Sequence, residues 1–409
     1  LNIIHSLDLI KAIERCRSNG NLHIAISHSP YLKYDGGIEH CLRREITLAA
    51  QMSVDYLHIH SSRFYIDSQL DFAIVEVTLN NEVIGLTSLD GLSAKLKYIN
   101  PQLTLLHSPI GYSSDSLLRL LLTLKHMGPI LQWIHDLSFA CNSITLIRNG
   151  MFCGLPKLNA ATCTGCKYNE SRLELHLFYD QLERISDYQL FPTNATKKRY
   201  NFIRNTTIEQ LKKQIVVPHY ITKCYTTELL EPKIDSIDKE IGIAFFGHSI
   251  EHKGWREYLS LVTAIQDVDC FRFFHVGTTG ATDTRIQLIN FSEITSPNSL
   301  FQICKTNNIK LAFFWSLTLE AFGIMFRQVL ATECAIICRS DDDALREFIF
   351  NCDKIFYFNT INEVISAIRN KVFMENLLLK ARTSQCTLQS SNLSYTLGVR
   401  DSLHSTFKQ

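Results

Sequence analysis

Short runs of apolar, β-branched and aromatic residues alternate with helix-length amphipathic segments along most of the chain. The runs at 22–27, 56–60, 103–107, 131–134 and 188–192 predict one series of strands, and those at 215–218, 241–247, 271–277, 309–314 and 335–339 predict a second. Between them, 38–50, 116–126, 254–266, 322–332 and 342–350 carry helical spacing. Strands covered on both faces read as continuous apolar runs, and their alternation with helices builds βαβ units and parallel sheets. One local exception is the pair 72–78 and 82–86, joined at Asn80-Asn81, which reads as a hairpin or an edge pair.

The polar stretch 193–213 separates the two series and predicts two doubly wound domains. The boundaries expected are 1–214 for the first, with a cysteine-rich insertion at 141–166, and 215–374 for the second. Residues 375–409 read as helical and then polar, a segment placed to pack back across the first domain. No repeat of the length that marks a solenoid is visible.

Length and composition narrow the class. A chain of 409 residues suits two domains or three, and 46% hydrophobic with 20% charged residues fits a folded chain. Forty-one Lys and Arg against 40 Asp and Glu leave +1, without the basic excess of a nucleic-acid binder. The longest apolar stretch, 117–124, contains Arg119 and is too short to cross a bilayer. The chain opens on Leu1 rather than Met, as a piece of a longer protein would, and its start lacks a signal-peptide pattern. Thirteen cysteines is a high and odd count. Nine (Cys16, Cys41, Cys224, Cys270, Cys304, Cys334, Cys338, Cys352 and Cys386) are scattered, mostly in apolar runs, and read as reduced thiols of a cytoplasmic protein. The other four, Cys141, Cys153, Cys163 and Cys166, lie close together.

In open α/β sheets, ligands bind where strand C-termini meet helix N-termini, so the informative residues follow the strands. After the first strand come Gly36 and Gly37, which open a helix whose N–H groups attract anions, or simply make a turn. After 131–134 comes His135, placed for a substrate hydroxyl or for an ordinary loop hydrogen bond. The strand 241–247 runs into Gly247, His248, Lys253 and Gly254, a plausible diphosphate cradle; no Ser or Thr stands where a Walker A loop holds magnesium. After 309–314 come Glu320, Phe322 and Gly323, with Gln328 further along the next helix, a carboxylate and an amide able to hold hydroxyls.

Taken in order, these motifs resemble the GT-B glycosyltransferases of family 4, over about residues 22–370. The N-terminal marks are GGIEH (Gly36, Gly37), WIHD (His135) and FPTN at 191–194. The C-terminal marks are VVPH at 216–219, FFGHSIEHKG (Gly247 to Gly254), FHVG (Gly277) and FWSLTLEAFG (to Gly323). The resemblance implies two Rossmann-like domains facing each other across a cleft, and a retaining transfer of a hexosyl or deoxyhexosyl group from a nucleotide-sugar donor. The acceptor implied is a glycan or lipid-linked glycan, in surface polysaccharide or lipopolysaccharide synthesis. His135, Lys253 and Glu320 would be catalytic. Gly36, Gly37, Gly247, His248, Gly254, Gly277, Phe322, Gly323 and Gln328 would line the donor. His248 stands where many members have Arg, and Gln328 where the family has a second glutamate; these departures motivate an alternative, a catalytically silent glycan-binding or scaffolding module.

No metal or other cofactor is expected to be required for that chemistry. Cys141, Cys153, Cys163 and Cys166 allow two readings, a structural four-thiolate zinc site or reduced thiols in a loop. Residues 114–126 likewise read as a core-facing helix, while relatives with lipid-linked acceptors touch the membrane with such helices. The expected setting is cytoplasmic or peripheral on the inner membrane face, with no nucleic-acid partner.

Overall fold

The structure, a computed structural model, describes residues 11, 21–34, 36–61, 74–97, 101–143, 145–158, 160–226, 240–278, 283–290 and 297–390. Cys16, residues 72–73 of the expected hairpin and the tail beyond 390 lie outside these. The chain forms two compact units: the second takes Thr145–Gly154 and continues from Pro218, and the first holds the residues before and between.

The first unit is built on an eight-stranded sheet. Its strands are β1 (Leu22–Ser27), β2 (Asp55–Ser61), β3 (Ile74–Leu79), β4 (Glu82–Ser88), β5 (Leu103–Leu106) and β6 (Ile130–Trp133). The chain then leaves for a short hairpin in the second unit, β7 (Ile147–Arg148) and β8 (Met151–Phe152), and returns as β9 (Tyr188–Phe191) and β10 (Gln214–Val216). The order is β10-β9-β6-β5-β1-β2-β3-β4. All neighbours run parallel except β2–β3 and β3–β4, so the antiparallel pair expected around Asn80-Asn81 forms the edge. Asn80 and Asn81 take the left-handed φ values, 48° and 72°, that a tight hairpin needs and asparagine tolerates. One face of the sheet packs Ala25, Leu42, Tyr56, Leu105, Leu131 and Leu190 into a core. The helix Ser114–Lys125 buries Leu117, Leu120, Leu121 and Leu124, the core-facing alternative, and leaves Leu122 exposed.

The second unit carries a six-stranded, all-parallel sheet. Its strands are β12 (Ile241–Phe246), β13 (Phe271–Gly277), β14 (Ile286–Asn290), β15 (Ile309–Phe314), β16 (Ala335–Arg339) and β18 (Ile355–Phe358), in the order β14-β13-β12-β15-β16-β18. Alternate residues of each strand feed opposite cores. Ile243, Phe245, Phe313 and Ile337 pack on one face, and Ala244, Phe246, Ala312 and Ile336 on the other. This two-sided burial is why the strands read as unbroken apolar runs. A small sheet, β17 (Ile349–Phe350), β11 (Tyr220–Thr226) and β19 (Ser384–Ser390), completes the unit.

Two expectations are corrected, and of the C-terminal segment only the residues up to 390 are described. Residues 342–350 are not helical; they form turns ending in β17. The buried guanidinium of Arg327 donates to the carbonyls of Ala344, Leu345 and Glu347, drawing that backbone around itself. Phe348 then takes φ 58°, which no helix allows. The last helix, Lys371–Thr383, gives way to β19, which pairs antiparallel with β11 and belongs to the second unit. That pairing sets Cys224 directly opposite Cys386 at a Cα separation of 4.0 Å, and the two form a disulfide rather than reduced thiols. Among the described residues no helix is long and apolar enough to cross a membrane.

Candidate functional site

Each sheet reverses its strand order at one point, between β1 and β5 in the first unit and between β12 and β15 in the second. Ligands of open α/β sheets gather beyond the strand C-termini at such points.

In the second unit, β12 ends at Phe246 and Gly247 turns away at φ 121°. A Cβ on Gly277, at the end of β13, would sit 1.9 Å from the Gly247 carbonyl, so close approach requires glycine at 277, while the positive φ favours it at 247. His275 donates through Nε2 to that same carbonyl at 2.8 Å, and Thr278 bonds His248 Nδ1 at 2.5 Å. The chain then makes a tight turn, Glu251–Lys253, and Gly254, at φ 84°, starts the helix Trp255–Ile265.

After β15, the loop through Glu320 is tied to this turn. Ser316 Oγ and the Leu317 N–H both donate to the His252 carbonyl, at 3.2 and 2.8 Å. Lys253 Nζ thereby meets Glu320 Oε1 at 2.6 Å, and the Glu320 N–H donates to the buried Asp342 at 2.8 Å. Burial alone would raise the Glu320 carboxyl. The Lys253 charge and hydrogen bond, with the Ser316 hydroxyl, outweigh it and hold that carboxyl below its ordinary range. Burial and the neighbouring ammonium push His252 down to about 4, so it stands neutral. Phe322 lies under the Arg327 guanidinium, 3.9 Å from its ring centre, and against His219. Gly323 (φ 72°) begins the helix Ile324–Leu330, shorter than expected, with Gln328 in its second turn.

The same edge of the first unit is lined with imidazoles. His28 follows β1, His58 and His60 lie on β2, His107 follows β5 and His135 follows β6. His58 Nε2 meets Ser27 Oγ at 2.8 Å. Burial, then neighbouring His60, His107 and His28, keeps His58 well below the ordinary histidine value. Gly36 and Gly37 begin the helix Gly37–Gln51, and that helix's own Glu39 folds back beside Gly36. There Glu39 accepts from Ser29 Oγ and lies 3.6 Å from His28 Nε2. His135 Nε2 is 2.9 Å from His107 Nδ1, and His107 Nε2 is 3.1 Å from the buried Glu45. Sequence reading missed Glu39, Glu45, His28, His58, His107 and Asp342, since each is linked to its partners only through the fold.

The four cysteines of the cysteine-rich segment are divided between the two units. Cys153 lies in the stretch that belongs to the second unit. Among the described residues, the three cysteines of the first unit do not form a set with sulfurs within 4.8 Å of one another. Cys163 instead receives the guanidinium of Arg172 at 2.8 Å, and Arg172 also donates to the Ala140, Pro156 and Lys157 carbonyls.

By sequence the chain matches no family model and no curated protein. Solved structures are similar in shape. Anabaena Alr3699/HepE, in complex with UDP and glucose, aligns with TM-score 0.52 at 10% identity, covering 95% of this chain and 99% of its own. The pneumococcal O-GlcNAc transferase GtfA, in complex with UDP and GlcNAc, gives 0.53 at 10%, covering 89% and 94%. A glycosyltransferase from Rickettsia africae ESF-5 gives 0.52 at 12%, covering 93% and 98%. The likeness is one of fold: the chain is an α/β protein of GT-B type, with two Rossmann-like units.

Proposed function

We propose that the chain is a glycosyltransferase of the family 4 type, moving a hexosyl or deoxyhexosyl group from a nucleotide sugar to a glycan or lipid-linked glycan with retention of configuration. Its place would be surface polysaccharide synthesis, at the inner face of the membrane. The observation that carries the reading is the Lys253–Glu320 pair, 2.6 Å apart, at the strand-order reversal of the second unit beside Gly247 and Gly254. The departing nucleoside diphosphate gains negative charge as the sugar leaves. The Lys253 ammonium and the N–H groups opening the helix Trp255–Ile265 would stabilise that charge without having to reorganise. Glu320 would orient the donor sugar, Gln328 the ribose, and His135 the sugar or the acceptor hydroxyl. UDP and a sugar in two of the similar structures favour a uridine donor.

One observation favours the alternative of a silent binding module: the Lys253 charge is already met by Glu320, so an anionic donor must compete for it. A melting-temperature screen with UDP, GDP, ADP and dTDP sugars, followed by turnover of any binder, separates the two. A ligand that binds only the native state raises the melting temperature. The transferase reading expects a uridine sugar to do so and to be consumed. Binding without turnover favours the silent module, and no shift with any nucleotide sugar overturns both the donor and the site.

A further inference from the structure

We propose that Glu45, acting through His107, fixes which nitrogen of His135 carries the ring proton; only the catalytic consequence rests on the transferase reading. Glu45 lies on the helix Gly37–Gln51 and is 4% exposed. Its Oε2 accepts the Tyr56 hydroxyl at 2.7 Å and faces His107 Nε2 at 3.1 Å. A carboxylate has no proton to offer, so Nε2 of His107 must be the donor. The proposal takes His107 as neutral imidazole, which holds one N–H, so that His107 Nδ1 is a lone pair. That lone pair faces His135 Nε2 at 2.9 Å, so His135 must donate there, and its own Nδ1 becomes the acceptor.

The ring geometry supports this chain of donors. The two imidazoles are within 7° of parallel with centroids 5.1 Å apart. A nitrogen separation as short as 2.9 Å at that centroid distance places both nitrogens between the ring centres. The rings therefore meet edge to edge in one plane, the geometry of an N–H···N hydrogen bond, and not face to face. Trp133 lies within 15° of parallel to the His135 ring, with centroids 4.9 Å apart. The other Glu45 oxygen, Oε1, is buried with no hydrogen-bond partner among the described residues, so the carboxylate is met through Oε2. The neighbouring His58, kept neutral by its burial, adds no competing positive charge. Glu45 and His107 are thus positioning residues. They make Nδ1 the acceptor nitrogen of the His135 ring and Nε2 its donor.

Nuclear magnetic resonance on the full chain labelled with 15N-histidine tests this without any nucleotide. The expected spectrum has one ring proton on His107 Nε2. A second, on His135 Nε2, shows a through-hydrogen-bond coupling to His107 Nδ1. The coupling should vanish in His107→Phe and weaken in Glu45→Leu, where His107 is released to change tautomer. A proton on His135 Nδ1, a missing coupling in the wild type, or an unchanged coupling in Glu45→Leu overturns the proposal. The wild-type spectrum assigns both protons should a variant fail to fold. In turnover, Glu45→Leu should lower kcat about tenfold at unchanged donor KM, the scale of losing one hydrogen bond from the transition state. An unchanged kcat overturns the positioning role. A wild type that turns over no nucleotide sugar but keeps the coupling removes the transferase reading alone.

Discussion

The two units present the same sheet edge with opposite chemistry. The second gathers a fixed charge pair, Lys253 and Glu320, around two left-handed glycine turns. The first gathers histidines backed by buried carboxylates, with Glu39 folded beside the helix N-terminus that sequence reading offered to phosphate. A carboxylate there satisfies the helix dipole from within and opposes an incoming anion. One Rossmann-like edge is thus set up for anions, the other for placing protons and neutral hydroxyls.

The largest contrast should appear in acid. In the first unit burial depresses His28 and His58, and takes His176 to about 4; in the second, His252 falls to about 4 and His275 is also lowered. Each stays neutral when folded but binds a proton once unfolded, so its stabilising effect is complete above about pH 6.5 and is lost as the pH falls through its lowered folded value. The slope is about 1.4 kcal/mol per pH unit for each group. With three such groups against two, the first unit should unfold earlier in acid, followed by hydrogen exchange of the two sheets between pH 7 and 4.5. His58→Phe should flatten the first unit's slope by one proton. Equal pH dependence in the two sheets would break the contrast.

Next in size is the charge pair. Lys253→Ala should lower turnover of the donor by about 10²–10³, the scale of removing one preorganised donor to a developing anion. Its folding should also weaken, because the half-buried Glu320 carboxylate loses its partner, so turnover is compared on the folded fraction. Near-normal turnover would remove the second unit's edge from the chemistry.

The central parallel strands could be read off the chain because both faces are buried. β1, β13, β15 and β16 run over the residues that their apolar runs predicted. The small sheet was illegible: β11 and β19 are short, mostly polar or mixed segments without a continuous apolar run, and they meet across 162 positions at Cys224 and Cys386. Residues 342–350 read as a helix because nothing local announces that Arg327 will claim their carbonyls. Of the site, Lys253 and Glu320 were legible as residues following strands. The Glu45–His107–His135 chain was not, because its members lie 62 and 28 positions apart and one of them is inside a helix.

Smaller effects come from the glycines. A Cβ at Gly254 would meet the Trp315 carbonyl at 2.1 Å with φ at 84°, so Gly254→Ala should cost about 1–3 kcal/mol. At Gly36 the φ is −112° and the atom met is the end of the Glu39 side chain, which can turn aside. Gly36→Ala should therefore cost less than about 1 kcal/mol. Denaturant midpoints check the order, and a reversal would mean that the first unit's turn is the more constrained.

The smallest expected effect tests how far the second unit's edge can be sharpened toward anions. His248 is exposed and bonded to Thr278, in the same turn as Lys253. His248→Arg adds a permanent charge in solvent, where ionic attraction is worth at most about 1 kcal/mol and fades with salt. UDP should then bind about two- to fivefold more tightly at low ionic strength, and the gain should shrink by 0.5 M salt. Titration calorimetry at two salt concentrations reads both. The equivalent addition in the first unit, Tyr34→Arg beside the helix N-terminus where Glu39 lies, should leave UDP affinity unchanged. If the first unit's change tightened binding as much as the second's, the division between an anion-holding edge and a proton-placing edge would be wrong.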